Sequence, residues 1–266
     1  MKDLFWLDQG TGRPLILLHG GFLHHRMWDD QIPVFSTRYR VIAPDTRGHG
    51  RSAIPKGPYR FTDDLATLLR HLDTGPAVLV GVSMGAAIAV DTALEHPDLV
   101  TGVVISGAGT SEPYFTDPWT TQTMGQWHAA MAAGDLEGSI EAFTYFGLAG
   151  PHRTLDDVDP ALVERLRRMT RETMSKYDRY EPEHPVPVTD TWERLAKISV
   201  PLLAINGALD SPDHLGMAER LAGTVQDGRA VSIEGAAHYP NMERPEEFNS
   251  LLDDFLNSIT GQSAAS

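Results

Sequence analysis

The chain has 266 residues, 41% hydrophobic and 22% charged, which suits one large α/β domain or a domain carrying an insertion and excludes wholesale disorder and fibrous repeats. Its 22 Lys and Arg stand against 36 Asp and Glu, a formal net charge of −14 that opposes nucleic acid as a partner. The absence of cysteine removes disulfides, thiolate nucleophiles and Cys-based metal centres, and fits a reducing cytoplasm.

The amino-terminal MKDLFWLDQG has one Lys but no uninterrupted apolar stretch of the length a signal peptide needs. The most apolar segment, Ala77 to Val90, falls short of the roughly 18 residues that span a bilayer, so the expectation is a soluble, unexported, cytoplasmic protein with no membrane partner. Oligomeric state is not legible.

Short apolar runs that do not alternate predict strands of a parallel sheet, buried on both faces. The first two are PLILLHG from Pro14 and RVIAPD from Arg40. Thr62 is expected to cap a helix over DDLATLLRHL, with two aspartates in its first turn. The strand AVLVGV from Ala77 leads to a helix that follows Ser83 and stops at Pro97, and LVTGVVISG from Leu99 is the fourth strand. From Thr110 to Leu195 the rhythm breaks into a helical or irregular, proline-punctuated insertion rich in acids, whose Trp119, Met124, Trp127, Met131, Phe143, Tyr145, Phe146, Met169, Met174 and Tyr177 are expected mostly to form its own small core. PLLAING from Pro201 and RAVSIEG from Arg229 resume the sheet. The last helix, from Pro245, puts Phe248, Leu251, Leu252, Phe255 and Leu256 on one face. The expected division is an α/β core over 1–109 and 196–260, a helical cap over 110–195 and a flexible tail over 261–266.

Gly81-Val82-Ser83-Met84-Gly85 is a G-x-S-x-G element between a buried strand and a small-residue helix. Such a turn presents the serine hydroxyl at a helix N-terminus, where the dipole favours developing negative charge. The hydroxyl needs a base to take its proton and a third group to orient that base. Asp210 in N-G-A-L-D and His238 in A-A-H-Y-P each follow a strand, on loops at the same sheet edge.

With these residues the sequence resembles the α/β-hydrolase superfamily, whose order of serine, acid and histidine it shares. LLHGG (Leu17 to Gly21) is similar to the family's oxyanion loop, DTRGHGRS (Asp45 to Ser52) to its D-x-R-G-x-G-x-S turn, and GAAHYPNMERPEEF (Gly235 to Phe248) to its histidine loop and last helix. Among its branches the pattern is most similar to 3-oxoadipate enol-lactonase-like hydrolases, small esterases and cofactor-free perhydrolases. The resemblance implies an α/β-hydrolase fold: a mostly parallel central sheet flanked by helices, with a helical cap. It also implies a catalytic set of Ser83, Asp210 and His238 that needs no cofactor and cleaves a small-molecule ester or lactone.

Met84 N–H, next to the nucleophile, is one expected oxyanion donor; the resemblance names Gly21 as the other, with Phe22 as the alternative. Phe22, Trp127, Phe143, Phe146 and Tyr239 are candidates for the pocket wall. The same three catalytic groups also serve carbon–carbon bond hydrolysis, perhydrolysis, or a slow signal receptor on a hydrolase scaffold. His19 reads as a brace for the oxyanion loop, His49 as a turn residue, and Asp45 as holding its turn through Asx-type hydrogen bonds. Asp213 is a rival acid that more naturally begins the next helix and caps it or meets solvent. His24 and His25 stand side by side, but adjacent side chains diverge and no carboxylate cluster lies near them in sequence, so no metal site is expected.

Overall fold

Each apolar run becomes a strand because the residues on its two faces are claimed by two different helical layers. In the computed structural model, which describes residues 3–107, 109–177 and 184–263, the strands are β1 (Phe5–Gln9), β2 (Arg13–Leu18), β3 (Tyr39–Asp45), β4 (Ala77–Val82), β5 (Val100–Ser106), β6 (Leu202–Gly207) and β7 (Gly228–Ile233). They form one sheet in the order β1-β3-β2-β4-β5-β6-β7, parallel except for β1, which runs antiparallel to β3. The sequence reading missed β1, a half-exposed edge strand whose FWLDQ carries no apolar run.

The helices are α1 (Ile32–Phe35), α2 (Phe61–His71), α3 (Met84–Glu95), α4 (Pro118–Ala132), α5 (Leu136–Leu148), α6 (Pro160–Met174), α7 (Thr191–Arg194), α8 (Pro212–Thr224), α9 (Pro240–Glu243) and α10 (Pro245–Ser263). On one face of the sheet, Ile16, Leu18, Ile42, Leu79, Val103 and Ala204 pack with Leu65, Leu68 and Leu69 of α2, Ile88 and Ala89 of α3, and Leu221 of α8. On the other, Leu15, Leu17, Val41, Val80, Val104 and Ile205 pack with Phe35 of α1 and Phe248, Leu252 and Phe255 of α10. Successive residues of β2 thus belong to opposite layers, as the twofold period of a strand demands. Burying each large side chain contributes roughly 1.5–3 kcal/mol.

Between β5 and β6, α4, α5 and α6 each begin behind an aspartate: Asp117 accepts from Thr120 N–H, Asp135 from Gly138 N–H and Asp159 from Ala161 N–H, all at 2.9 Å. This insertion has no separate core, contrary to the sequence expectation. Leu148, Val158, Val163, Leu166 and Met169 join the same cluster as the α10 side of the sheet, while Met131 is 39% exposed.

Two further expectations are corrected. Thr62 lies inside α2, whose first residue follows Arg60 with no side-chain cap, and the Thr62 hydroxyl has no hydrogen-bond partner among the described residues. The expected tail begins late, because α10 continues through Ser263; residues 264–266 lie outside the described residues.

Candidate active site

Ser83 stands between β4 and α3 with φ 55° and ψ −117°, backbone angles that only glycine adopts without strain. The surroundings over-determine them. Ser83 N–H donates to Ser106 O at 2.8 Å, and the Ser83 carbonyl accepts from Ala86 and Ala87 N–H. A Cβ on Gly81 would lie 2.1 Å from Gly85 O, and one on Gly85 would lie 2.1 Å from Leu18 O. Close approach of three backbones therefore requires both glycines of the pentapeptide, and the sharp turn that results lifts the serine side chain clear of the sheet edge.

Asp210 follows β6 and His238 follows β7, and both side chains are buried. His238 Nδ1–H donates to Asp210 Oδ2 at 2.8 Å, which leaves Nε2 as an acceptor; that atom is buried and has no partner among the described residues. Gly107, at φ 63° after β5, lets the ring in: a Cβ there would lie 2.6 Å from His238 Nδ1. Ser83 and His238 line one cavity.

The chain matches the alpha/beta hydrolase fold family over residues 13–245. It belongs to that family. It is 30% identical to the AB hydrolase superfamily protein YisY of Bacillus subtilis (strain 168) over 269 residues, covering 96% of each chain. It is 27% identical to 3-oxoadipate enol-lactonase 2 of Acinetobacter baylyi, covering 85% of this chain and 82% of that one. A thermophilic esterase from Thermogutta terrifontis superposes with a TM-score of 0.73 at 27% identity, covering 96% of this chain and 93% of the other. Esterases and lactonases are thus among the relatives of this α/β hydrolase.

Burial alone would raise the carboxyl of Asp210, but the imidazoles of His238 and His214 outweigh it and hold the group ionised, well below the usual carboxylate range. Burial pushes His238 below its ordinary value against the pull of Asp210, so the imidazole rests neutral at neutral pH. His214 escaped the sequence reading. Its Nδ1 lies 3.2 Å from Asp210 Oδ1 and 2.9 Å from Ser211 Oγ, and its ring centre lies 4.4 Å from that of His238. A histidine four residues after the acid, on the first turn of a helix, was the available signal. Ser211 N–H donates to the same Oδ1 at 2.7 Å.

The loop after β2 faces Ser83. His19 is fully buried; its Nδ1–H donates to Gly20 O at 2.8 Å and its Nε2 accepts Thr46 N–H at 3.0 Å, so it braces the loop. Burial lowers its pKa to about 4. Phe22 takes φ 55°, the second strained non-glycine beside this cavity. Gly21 and Phe22 both line it, and Met84, the first residue of α3, carries an N–H that a helix leaves without an internal acceptor.

Two cavities meet at Ser83. An aromatic one of about 190 Å³ is lined by the expected Phe22, Trp127, Phe143, Phe146 and Tyr239, and also by Phe115 and Met124, which the sequence had not marked as pocket residues. Its rings pack edge to face, with Phe22 5.3 Å from Trp127 and 5.5 Å from Phe143. The second, about 460 Å³, runs along α3 past Met84, Ala87, Ile88 and Asp91, and is closed by Pro185 to Val188. Nothing in the sequence had pointed to it.

The remaining candidates serve structure. Asp45 does not make an Asx turn. Its Oδ1 accepts His25 N–H at 2.7 Å and His25 Nδ1–H at 2.8 Å, and its Oδ2 accepts Arg51 N–H at 2.8 Å, so one carboxylate joins two loops. The sequence saw no acid near His24 and His25; the fold supplies Asp45, and the ligand atoms of these three residues lie within 4.8 Å of one another. His24 Nε2 meets Glu172 of the insertion at 3.0 Å. His49 is a buried turn residue, its Nδ1 2.9 Å from Arg47 O. Asp213 neither caps α8, which Ser211 does, nor meets solvent: it accepts Thr116 and Asp117 N–H, each at 2.9 Å, and pins the entry to α4. No helix among the described residues is long and apolar enough to cross a membrane.

Proposed function

We propose that the protein is a serine hydrolase of carboxylic esters or lactones that works through an acyl-enzyme. The observation that carries this is the strained Ser83 sharing a cavity with an imidazole whose Nδ1 is held by a buried, ionised carboxylate and whose Nε2 is unpartnered. In this reading, neutral His238 takes the Ser83 proton as Oγ attacks the carbonyl carbon, and Asp210 keeps the imidazole in the productive tautomer and stabilises the imidazolium. The oxyanion meets Met84 N–H and an N–H of Gly21 or Phe22. His238 then protonates the departing alkoxide, and a water deprotonated by the same nitrogen releases the acid.

The two cavities then divide the substrate. A leaving group must reach His238, which lines only the aromatic cavity, so the alcohol part belongs there and the acyl part in the longer cavity along α3. The scheme draws on protein groups and water alone. A fluorophosphonate probe tests it: wild type should be labelled on Ser83, and Ser83→Ala should escape labelling and lose roughly five orders of magnitude in p-nitrophenyl acetate turnover while keeping its fold. Labelling elsewhere, or retention of a hundredth of the activity, would remove Ser83 from the chemistry.

A further inference from the structure

Among the described residues, Asp91 is the one carboxyl on the cavity wall along α3, and the scheme above makes no use of it. It follows Met84, Ala87 and Ile88 on the lined face of the helix, two turns from Ser83, about 12 Å along the axis at 1.5 Å per residue. It is 2% exposed. Its Oδ2 accepts a long bond from Ser111 N–H, 3.3 Å, the Ser111 side chain also favours its ionised form, and its Oδ1 has no partner among the described residues. The Thr62 hydroxyl, on the same wall, is also buried and has no partner among the described residues. A buried carboxyl oxygen without a donor is costly, and none of the described residues supplies one to Oδ1.

The charged neighbours say what kind of group that is. Glu95, one turn on in α3, is committed to Arg60 at 2.9 Å and Arg194 at 2.5 Å. Glu112, beside Ser111, accepts the N–H groups of Asp190 and Thr191. Both glutamates disfavour a further negative charge at Asp91. His184 also lines the cavity. Among the described residues Arg60 and Arg194 pair with Glu95, so acidic groups and two acceptors without partners there stand at the end of an apolar cavity.

Resting on the serine-hydrolase reading, we propose that Asp91 is a specificity residue that receives a hydrogen-bond donor, a terminal ammonium or hydroxyl, at the far end of a medium-length acyl chain. The acyl carbon sits at Ser83, the methylenes lie against Ala87 and Ile88, and the end group donates to Oδ1. Burial lifts the free carboxyl to about 7, helped by Glu112 and Glu95. An arriving ammonium favours its ionised form, whereas a hydroxyl needs only the lone pair.

Three p-nitrophenyl esters of equal length test this: nonanoate, ω-hydroxyoctanoate and ω-aminooctanoate, compared as ratios of kcat/KM within each variant at pH 8. Wild type should prefer at least one donor-ended ester to nonanoate by about tenfold, the worth of one good hydrogen bond. Asp91→Leu should bring the ratios to one or below. The near-isosteric Asp91→Asn should keep any preference for the hydroxyl and lose any for the ammonium, which tells the two end groups apart. Wild type that takes nonanoate as well as both others would overturn the subsite while leaving the chemistry at Ser83 intact. Binding asks the same question without turnover: 1-aminooctane or 1-octanol should raise the Tm of Ser83→Ala, and the shift should vanish when Asp91→Leu is added. A shift indifferent to Asp91, or none with either ligand, sinks the subsite whatever becomes of the hydrolase reading.

Discussion

Two carboxylates are buried near Ser83, Asp210 bonded to His238 and Asp91 on the wall of the cavity along α3, and the protein treats the two in opposite ways. Asp210 is surrounded by donors, Ser211 N–H, His214 Nδ1 and His238 Nδ1, and stays ionised in spite of complete burial. Asp91 has Ser111 as its one donor residue among the described residues and two acidic neighbours, and its pKa is lifted to about 7 by nearly the same degree of burial. Depth does not decide the charge of a carboxyl; the number of donors aimed at it does. A fully served acid suits a group that must hold a partner still through every turnover, and an underserved one suits a group that waits for a ligand.

The comparison breaks first at Asp210. Asp210→Asn should cost roughly four orders of magnitude in kcat with little change in KM, because the wrong tautomer of His238 is then favoured. Asp213→Asn, whose carboxylate accepts from the Thr116 and Asp117 amides and the Thr116 hydroxyl, should change kcat by less than about tenfold; steady-state kinetics of the pair decides between them.

Stability against pH sharpens the contrast. Asp91 is raised from 3.8 to about 7 in the folded protein, so the folded state holds the proton more tightly and stability falls as pH rises from about 4 to 7. Asp91→Asn should therefore raise stability at pH 8 by as much as about 4 kcal/mol and leave it nearly unchanged at pH 4. Urea melts at the two pH values measure this, and an equal effect at both would mean the carboxyl is not strained by ionisation.

The buried histidines act in the other direction. His19 drops from 6.5 to about 4, so the unfolded chain binds its proton first and stability declines as pH falls from 6.5 toward 4, by roughly 3 kcal/mol for this residue. His49, lowered to about 3 by burial, extends the decline. His238 is lowered too, so kcat/KM should rise with pH through a midpoint below 6.5. Denaturant melts and a pH–rate profile over this range check both statements.

The strands that hold the site were legible because a parallel strand buried on both faces is apolar throughout, as AVLVGV and PLLAING are. Ser83 and Asp210 were legible as candidates because each follows such a strand, whereas His238 follows β7, a mostly exposed edge strand, and was picked out by its place after the last apolar run. β1 was hidden by its half-exposed edge position, and Thr62 was mistaken for a cap because an extended Arg60 begins the helix instead. His214 could have been found from its four-residue spacing to Asp210. Asp91 could not: an aspartate inside an apolar helix becomes notable only when the wall it faces is known, and that wall comes from Pro185 to Val188, almost a hundred residues away. The insertion misled for a related reason, since its apolar residues answer to the sheet layer and the cavity as well as to one another.

One backbone bond in the histidine loop bears on how such a protein can change over time. His238 N–H donates to Gly147 O, the carbonyl of the next-to-last residue of α5, at 3.2 Å. Arg153, just beyond that helix, reaches Leu148 O, Gly235 O and the Glu243 carboxylate, while Glu243 accepts Ala237 N–H at 2.8 Å. Gly147 has no room for a side chain, since a Cβ would lie 2.4 Å from the Tyr239 ring. The insertion and the loop that carries His238 are thus bonded as one piece. A chimaera that exchanges 110–195 for the equivalent stretch of a relative should shift the imidazole along with the cavity walls, and is expected to work only if the stretch from Gly235 to Glu243 travels with it.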